Sequence, residues 1–247
     1  MVRERIQKLI SASGICSRRR AEKLIRQGRV SINAQQAQLG HRADRDCDDI
    51  RIDGQLLRVP EPPRVMLLNK PAGVICSCHD PYGRITVLDL LPPSKRAGVH
   101  PVGRLDVNSR GALLLTNCGN FTLRVTHPRY KQTKVYKVWV RGELSEQALN
   151  RWRDGVTLDG RITMPAAVTI QRLDYQRGRS LLEVRLREGR NRQIRRIAEA
   201  LGYPVQDLQR TAIGHINLNG LAEGRWRQLS VSEWHPLLTT AARPACD

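Results

Sequence analysis

The chain has 247 residues, 40% of them hydrophobic, and carries 42 Lys and Arg against 23 Asp and Glu, for a net charge of +19 and a pI near 10.8. That length supports one ordinary core or two domains, one of them small, and no apolar run approaches the ~20 residues of a membrane span. So basic a chain favours polyanions as partners, while aromatics at 4% are too few for a generic single-strand stacking platform, which points to nucleic acid held in a shaped site.

The N-terminus, "MVRERIQKLI", lacks the apolar core of a signal peptide, so a cytoplasmic location is expected, or an organelle stroma or matrix after processing. Residues 3–12 place Ile6, Leu9 and Ile10 at helical spacing. Residues 17–27 begin with Ser17 as an N-cap and set Ala21, Leu24 and Ile25 on one face, until Gly28 stops the helix. "RVSIN" and then "IRIDG" at 50–54 read as short strands. Residues 1–30 hold nine Lys or Arg and two Glu, and Arg18, Arg19 and Arg20 cluster at a helix start. A solvated helix face and an RNA contact both fit that cluster. "PEPPR" at 60–64 favours extended backbone and marks a linker between residues 1–59 and 65–247.

The larger part opens with the strand-like "VMLLN", turns at "KPAG" and resumes with "VIC". "ALLLT" reads as a buried strand, and "KVYKVWV" at 134–140 alternates with Tyr136, Val138 and Val140 on one face. "SEQALNRW" predicts a helix over 145–152, "AVTIQRL" and "SLLEVRL" predict strands, and "NRQIRRIAEAL" predicts a helix that Gly202 ends, with Pro204 just beyond. "LQRTAIGHINL" follows as strand, turn and strand. Strands mostly succeed one another, so the expected class is α+β with a largely antiparallel sheet, not a doubly wound one. There is no internal repeat.

The six cysteines form no C-x-x-C pair; the best metal candidate, "CSCH" at Cys76–His79, has no matching second half, and reduced, packed thiols are the competing reading. The sequence has no G-x-x-x-x-G-K-[ST], G-x-G-x-x-G or H-E-x-x-H, so no metal, nucleotide or other cofactor is expected. What remains is one acid, Asp106, just before "ALLLT", and the stretch "VRLREGRNRQIRR" with six Arg and one Glu. On a helical wheel Ile194, Ile197, Ala198 and Leu201 share the buried stripe, Arg192 and Arg196 face outward as phosphate contacts, and Arg195 falls at the edge. An inward-leaning Arg195 needs a counter-ion, and Asp106 is a candidate. Alternatively Asp106 caps a turn and Arg195 reaches water. Lys70, Arg104 and Arg190 are further candidate RNA contacts, and a monomer is the default in the absence of an oligomerisation signal.

"GRLDVNSRGALLLTN" resembles the G-R-L-D signature of ribosomal RNA pseudouridine synthases, in the branch typified by RsuA. "NKPAGVICSCHDPYGRITVLDLLP" resembles that branch's K-P-x-G entry segment, and "KVYKVWVRG" resembles the strand bearing its active-site Tyr. "EGRNRQIRRIAEALGYPVQDLQRTAIGHINLNGLAEGRWRQL" resembles its C-terminal motif, and residues 1–59 the alpha-L, ribosomal S-four-like RNA-binding domain that precedes the catalytic domain. The resemblance implies that Asp106 is the nucleophile or electrostatic catalyst, that Tyr136 stacks on a flipped base, and that Arg195 pairs with Asp106. It implies isomerisation of uridine in ribosomal RNA or an assembling ribosomal particle, and "EGRNRQIRR" is closer to large-subunit than small-subunit enzymes. Arg110 and Cys118 stand where small polar and acidic residues are usual, and Ala112 where a larger apolar residue is common. Arg110 is near enough to Asp106 in sequence to alter substrate contacts. The alternative is a non-catalytic RNA-binding or ribosome-assembly factor, which has no need of Asp106.

Overall fold

The computed structural model describes residues 3–58 and 61–239; Pro60, at the head of the expected linker, and Cys246 lie outside the described residues. Helices α1 (Ile6–Ala12) and α2 (Arg18–Arg26) pack through Ile6, Ile10, Ala21 and Ile25 onto the antiparallel strands β1 (Val30–Ile32) and β2 (Ile50–Ile52). The first helix begins later than its spacing predicts, because Glu4–Arg5 pairs instead with Arg42–Ala43. Ser17 caps α2 as expected, its hydroxyl accepting the Arg20 N–H at 3.3 Å. Gly28 follows with a φ of +71°, a conformation glycine adopts without strain.

From Val65 onward the chain builds a nine-stranded sheet. Its long members are β3 (Val65–Lys70), β4 (Arg110–Thr116), β5 (Lys134–Arg141), β6 (Ala167–Asp174), β7 (Arg179–Leu186) and β8 (Val205–Ile213), with β9 (Trp226–Gln228) at one edge. The order is β6-β7-β5-β8-β4-β3-β9, and the short pairs Ile216–Asn217 and His100–Pro101 add to β8 and β4. Only β8 and β4 run parallel; the other pairs are antiparallel, which gives the expected α+β class. That one parallel contact requires a glycine. Arg210 is in register with Gly111, whose φ is +108°, and a Cβ there would lie 2.1 Å from the Arg210 carbonyl oxygen. "VIC" forms no strand and makes a single bridge, Ile75 to Thr86.

Helices α3 (Gly119–Thr126), α4 (Glu146–Asp154) and α5 (Gln193–Ala200) cover the sheet. Val138 and Val140 of β5, Trp152 of α4 and Ile197 of α5 share one cluster, while Leu114, Phe121 and Ile213 share another with α3. Each such side chain contributes about 1.5–3 kcal/mol when fully buried. Helix α5 starts at Gln193 and not at Asn191, because Arg192 is left-handed (φ 48°, ψ 31°). Arg192 therefore stands before the helix and off its wheel. Among the described residues no helix is long and apolar enough to cross a membrane.

Candidate active site

Asp106 lies in the loop that leads into β4, and that loop is held from three directions. From β3, the ammonium of Lys70 donates to the carbonyl oxygens of Pro71 (2.8 Å), Val107 (3.2 Å) and Ser109 (2.7 Å). From α5, Arg195 Nη2 donates to Asn108 O (3.2 Å) and Ser109 Oγ (3.3 Å). From the segment after β3, Cys76 Sγ accepts the Leu105 N–H at 3.3 Å, and Gly73 N–H donates to Val107 O at 2.8 Å. Burial pushes the Lys70 ammonium down from the ordinary lysine range and the Cys76 thiol up.

Two expectations are corrected here. Lys70 is fully buried and its three donors are spent on carbonyls, two of them on the loop (Val107 and Ser109) and one on the adjoining Pro71, so it is a clamp and not an RNA contact. The ion pair to Asp106 comes from Arg192, Nη1 to Oδ2 at 3.8 Å, not from Arg195. The reason is the left-handed turn at Arg192, which takes it off the outward helical face. Arg195 does lean inward, and burial followed by the Arg192 charge lowers its pKa while Asp106 raises it. It grips the loop that carries the acid.

The carboxylate stands in the wall of a cavity of about 240 Å³, with Tyr136 of β5, Leu186 of β7, Ile194 of α5 and Leu208 of β8 also lining it. An adjoining groove of about 550 Å³ shares Asp106, Arg104, Arg190 and Arg192 and adds Cys76 and Asn108. Asp106 is thus common to an inner chamber and an outer groove. Tyr136 is buried in the shared core with its cavity face retained. Arg104 is exposed at the mouth, as is Arg187, which the sequence reading passed over.

Other basic candidates are tied down. Arg190 bonds Glu188 (3.2 Å) and the carbonyls of Arg161 (2.9 Å) and Ile162 (2.5 Å). Arg196 forks onto Asp159 at 2.8 and 2.6 Å, so its guanidinium is engaged rather than open to phosphate. Arg110 forks onto Asp207 at 3.0 and 2.6 Å, with Glu223 at 3.7 Å, which holds it away from the substrate role its sequence position indicated. Arg18, Arg19 and Arg20 are exposed and make no ion pair among the described residues, whereas Arg29 and Arg51 nearby pair with Asp53 and Asp49. Among the described residues no group of three or more His, Cys, Asp or Glu could hold a metal.

Sequence reading also missed Lys134 and Arg210, both of which line the chamber. A signal was present for each. Lys134 precedes Tyr136 by two residues, and Arg210 follows Leu208 by two, so in a strand each shares its neighbour's face.

A chamber walled by a carboxylate and an aromatic ring, with a cationic groove at its mouth, can take a base flipped from an RNA strand and present its sugar to the acid. Residues 64–200 match the family model for RNA pseudouridylate synthase, and residues 4–50 match the S4 domain. The chain is 38% identical over 235 residues to an uncharacterized RNA pseudouridine synthase of Aquifex aeolicus, covering 94% of this chain and 93% of that protein. It is 38% identical over 232 residues to ribosomal large subunit pseudouridine synthase B of Bacillus subtilis, covering 93% of each. A crystal structure of pseudouridylate synthase superposes with a TM-score of 0.69 at 31% identity, over 94% of this chain and 99% of that one. With this coverage and geometry, the chain belongs to the RNA pseudouridylate synthase family.

Proposed function

We propose that this enzyme isomerises uridine to pseudouridine in large-subunit (23S) ribosomal RNA, with Asp106 acting at the anomeric carbon. The observation that carries the reading is the Asp106 carboxylate in the wall of the Tyr136 chamber, on a loop clamped by Lys70 and Arg195. The large-subunit assignment is supported by relatives such as those of Bacillus subtilis and Yersinia pestis, the latter 39% identical over 238 residues, which bear the name ribosomal large subunit pseudouridine synthase B.

In this reading the target uridine leaves its stack and enters the chamber, where Tyr136 offers its ring to the base. Phosphate contacts from Arg104 and Arg192 at the groove, and from Arg18, Arg19 and Arg20 on the N-terminal unit, offset the few kcal/mol of unstacking. The carboxylate either bonds to the anomeric carbon or withdraws a sugar proton to leave a glycal-like intermediate. The base turns and rejoins through carbon 5, and Asp106 is released unchanged. The enzyme works as a monomer, with the two units divided at residues 60–64.

The test is tritium release from ribosomal RNA labelled at carbon 5 of uracil, using wild type and Asp106→Asn. Wild type releases tritium from large-subunit RNA, while the variant binds the same RNA without release. Release only from small-subunit RNA refutes the subunit assignment, and equal release by both proteins refutes the role of Asp106. No release from naked RNA or ribosomal particles refutes the isomerase reading.

A further inference from the structure

Asp106 acts on the sugar, and the roles given so far leave the departing base without an electrostatic partner. The chamber holds two such groups. Arg210 is the cross-strand partner of Tyr136 and is only 4% exposed. Its Nε donates to Ala112 O at 2.7 Å, while its Nη2 is buried with no hydrogen-bond partner among the described residues. Lys134 Nζ has one acceptor, Gln132 O at 3.2 Å. Neither cation forms an ion pair among the described residues, and the two carboxylates lining the chamber, Asp106 and Glu188, face Arg192 and Arg190.

Around Lys134, the paired residues are Leu186 on β7 and Ile213 on β8, both apolar. The titratable and charged groups on those strands that share the chamber are Tyr136 on its own strand and Arg210 on β8; Arg104, Asp106, His127, Arg187, Glu188, Arg190 and Arg192 line it from the connecting segments. Burial, and then the charge of Arg210, push the Lys134 ammonium down to about 8. Two neighbouring cations with a spare buried donor destabilise a folded chain unless an anion joins them. A phosphate of the strand is poorly placed to do so. Arg210 lies deep against the sheet, whereas Arg104 and Arg192 are exposed at the groove, within easier reach of a backbone.

We propose that Lys134 and Arg210 form a seat for the uracil ring, holding its carbonyl oxygens and stabilising the negative charge the ring takes on when its bond to the sugar breaks. This rests on the chamber being the uridine site. The bond from ring nitrogen 1 to the anomeric carbon breaks with its electron pair left on the ring, spread over the nitrogen and both carbonyl oxygens. Carbon 5 then supplies the pair that makes the new bond to the anomeric carbon, and the bond to Asp106, or the glycal, reverts. The proton on carbon 5 goes to solvent and nitrogen 1 takes one from solvent. Both cations stay charged throughout, and preorganised charge aimed at a developing anion contributes ~10²–10³ in rate per donor.

The test compares wild type, Lys134→Met and Lys134→Arg in single-turnover tritium release, with RNA affinity measured across a salt series. Lys134→Met is expected to lose ~10²-fold in rate with unchanged affinity and salt slope. Lys134→Arg is expected to restore much of the rate, and the fall expected of wild type above about pH 8 to move to higher pH in this variant. Lys134→Gln, which also removes the charge, repeats the comparison should Lys134→Met fold poorly. A Lys134→Met rate equal to wild type overturns the inference. So does a loss of affinity with the salt slope reduced by about one, the mark of a phosphate contact. Wild type without any tritium release overturns both this inference and the reading it rests on, whereas an active wild type with an indifferent Lys134 overturns this one alone.

Discussion

Replacing Lys70 by Met removes the ammonium beneath the Asp106 loop while nearly preserving side-chain volume. Three hydrogen bonds from a charged donor are lost together, to Pro71 O, Val107 O and Ser109 O, at 2.7 to 3.2 Å. Each such bond is worth ~1.5–3 kcal/mol net. Val107 O keeps the Gly73 N–H at 2.8 Å, so the heavier losses fall on the other two carbonyls. Against this, Met carries no charge that must be stripped of water, and the pKa of Lys70 is already lowered by that burial. The balance is a destabilisation of about 3 kcal/mol, a large share of the ~5–15 kcal/mol typical of a whole domain. Urea unfolding measures it as a lower midpoint at unchanged slope. Because the loop carries Asp106, turnover falls further than stability alone accounts for: about 1 Å of misplacement is worth ~10²-fold in rate. Tritium release at a urea-free temperature well below the transition isolates that component. A variant within about 0.5 kcal/mol of wild type and with its full rate refutes the view of Lys70 as the clamp of the site.

Two other predictions concern charge. Changing Arg18, Arg19 and Arg20 together to Gln should weaken RNA binding and reduce the slope of log affinity against log salt by up to about three, roughly one per lost phosphate contact; an unchanged slope removes this face from the RNA interface. Lys134→Met should also stabilise the fold at pH 7. The folded-state pKa of Lys134 is about 8, below that of the unfolded chain, so at pH 7 both states hold the proton and the folded one bears the full penalty. Between about 8 and the unfolded value near ~10.4 the unfolded state binds more protons, so wild-type stability rises with pH and the gap to the variant closes. The gap below pH 8 is at most ~3 kcal/mol, reduced by about 1 kcal/mol for the lost bond to Gln132 O. Urea midpoints from pH 6.5 to 9.5 check it, and a variant equally unstable at every pH contradicts the linkage.

Most elements were legible because their signals are local. Ser17, read as an N-cap, accepts the N–H three residues on, and Ser145, read as the first residue of its helix, does the same from the N-cap position. The alternation of Tyr136, Val138 and Val140 appears as a run of buried positions on β5. The start of α5 was misplaced by two residues because nothing in "NRQ" announces a left-handed Arg192. The parallel β4–β8 contact was equally hidden, since Gly111 and Arg210 are remote in sequence and only register brings them together.

Composition, periodicity and motif were enough to settle a basic α+β protein with one prominent acid, because those depend on neighbours within a few residues. The partner of each charge was another matter. Six arginines crowd residues 184–196; helical spacing set Arg195 at the edge of the buried stripe and left its partner open, and the family resemblance implied that the partner is Asp106. Three-dimensional packing gave that contact to Arg192, set Arg195 and Lys70 to holding the loop, and filled the fork of Arg196 with Asp159. It also drew Lys134 and Arg210 into the chamber. The physical reason is that a long cationic side chain can satisfy itself with any acceptor within its reach, and which acceptors fall there depends on how distant strands and loops meet.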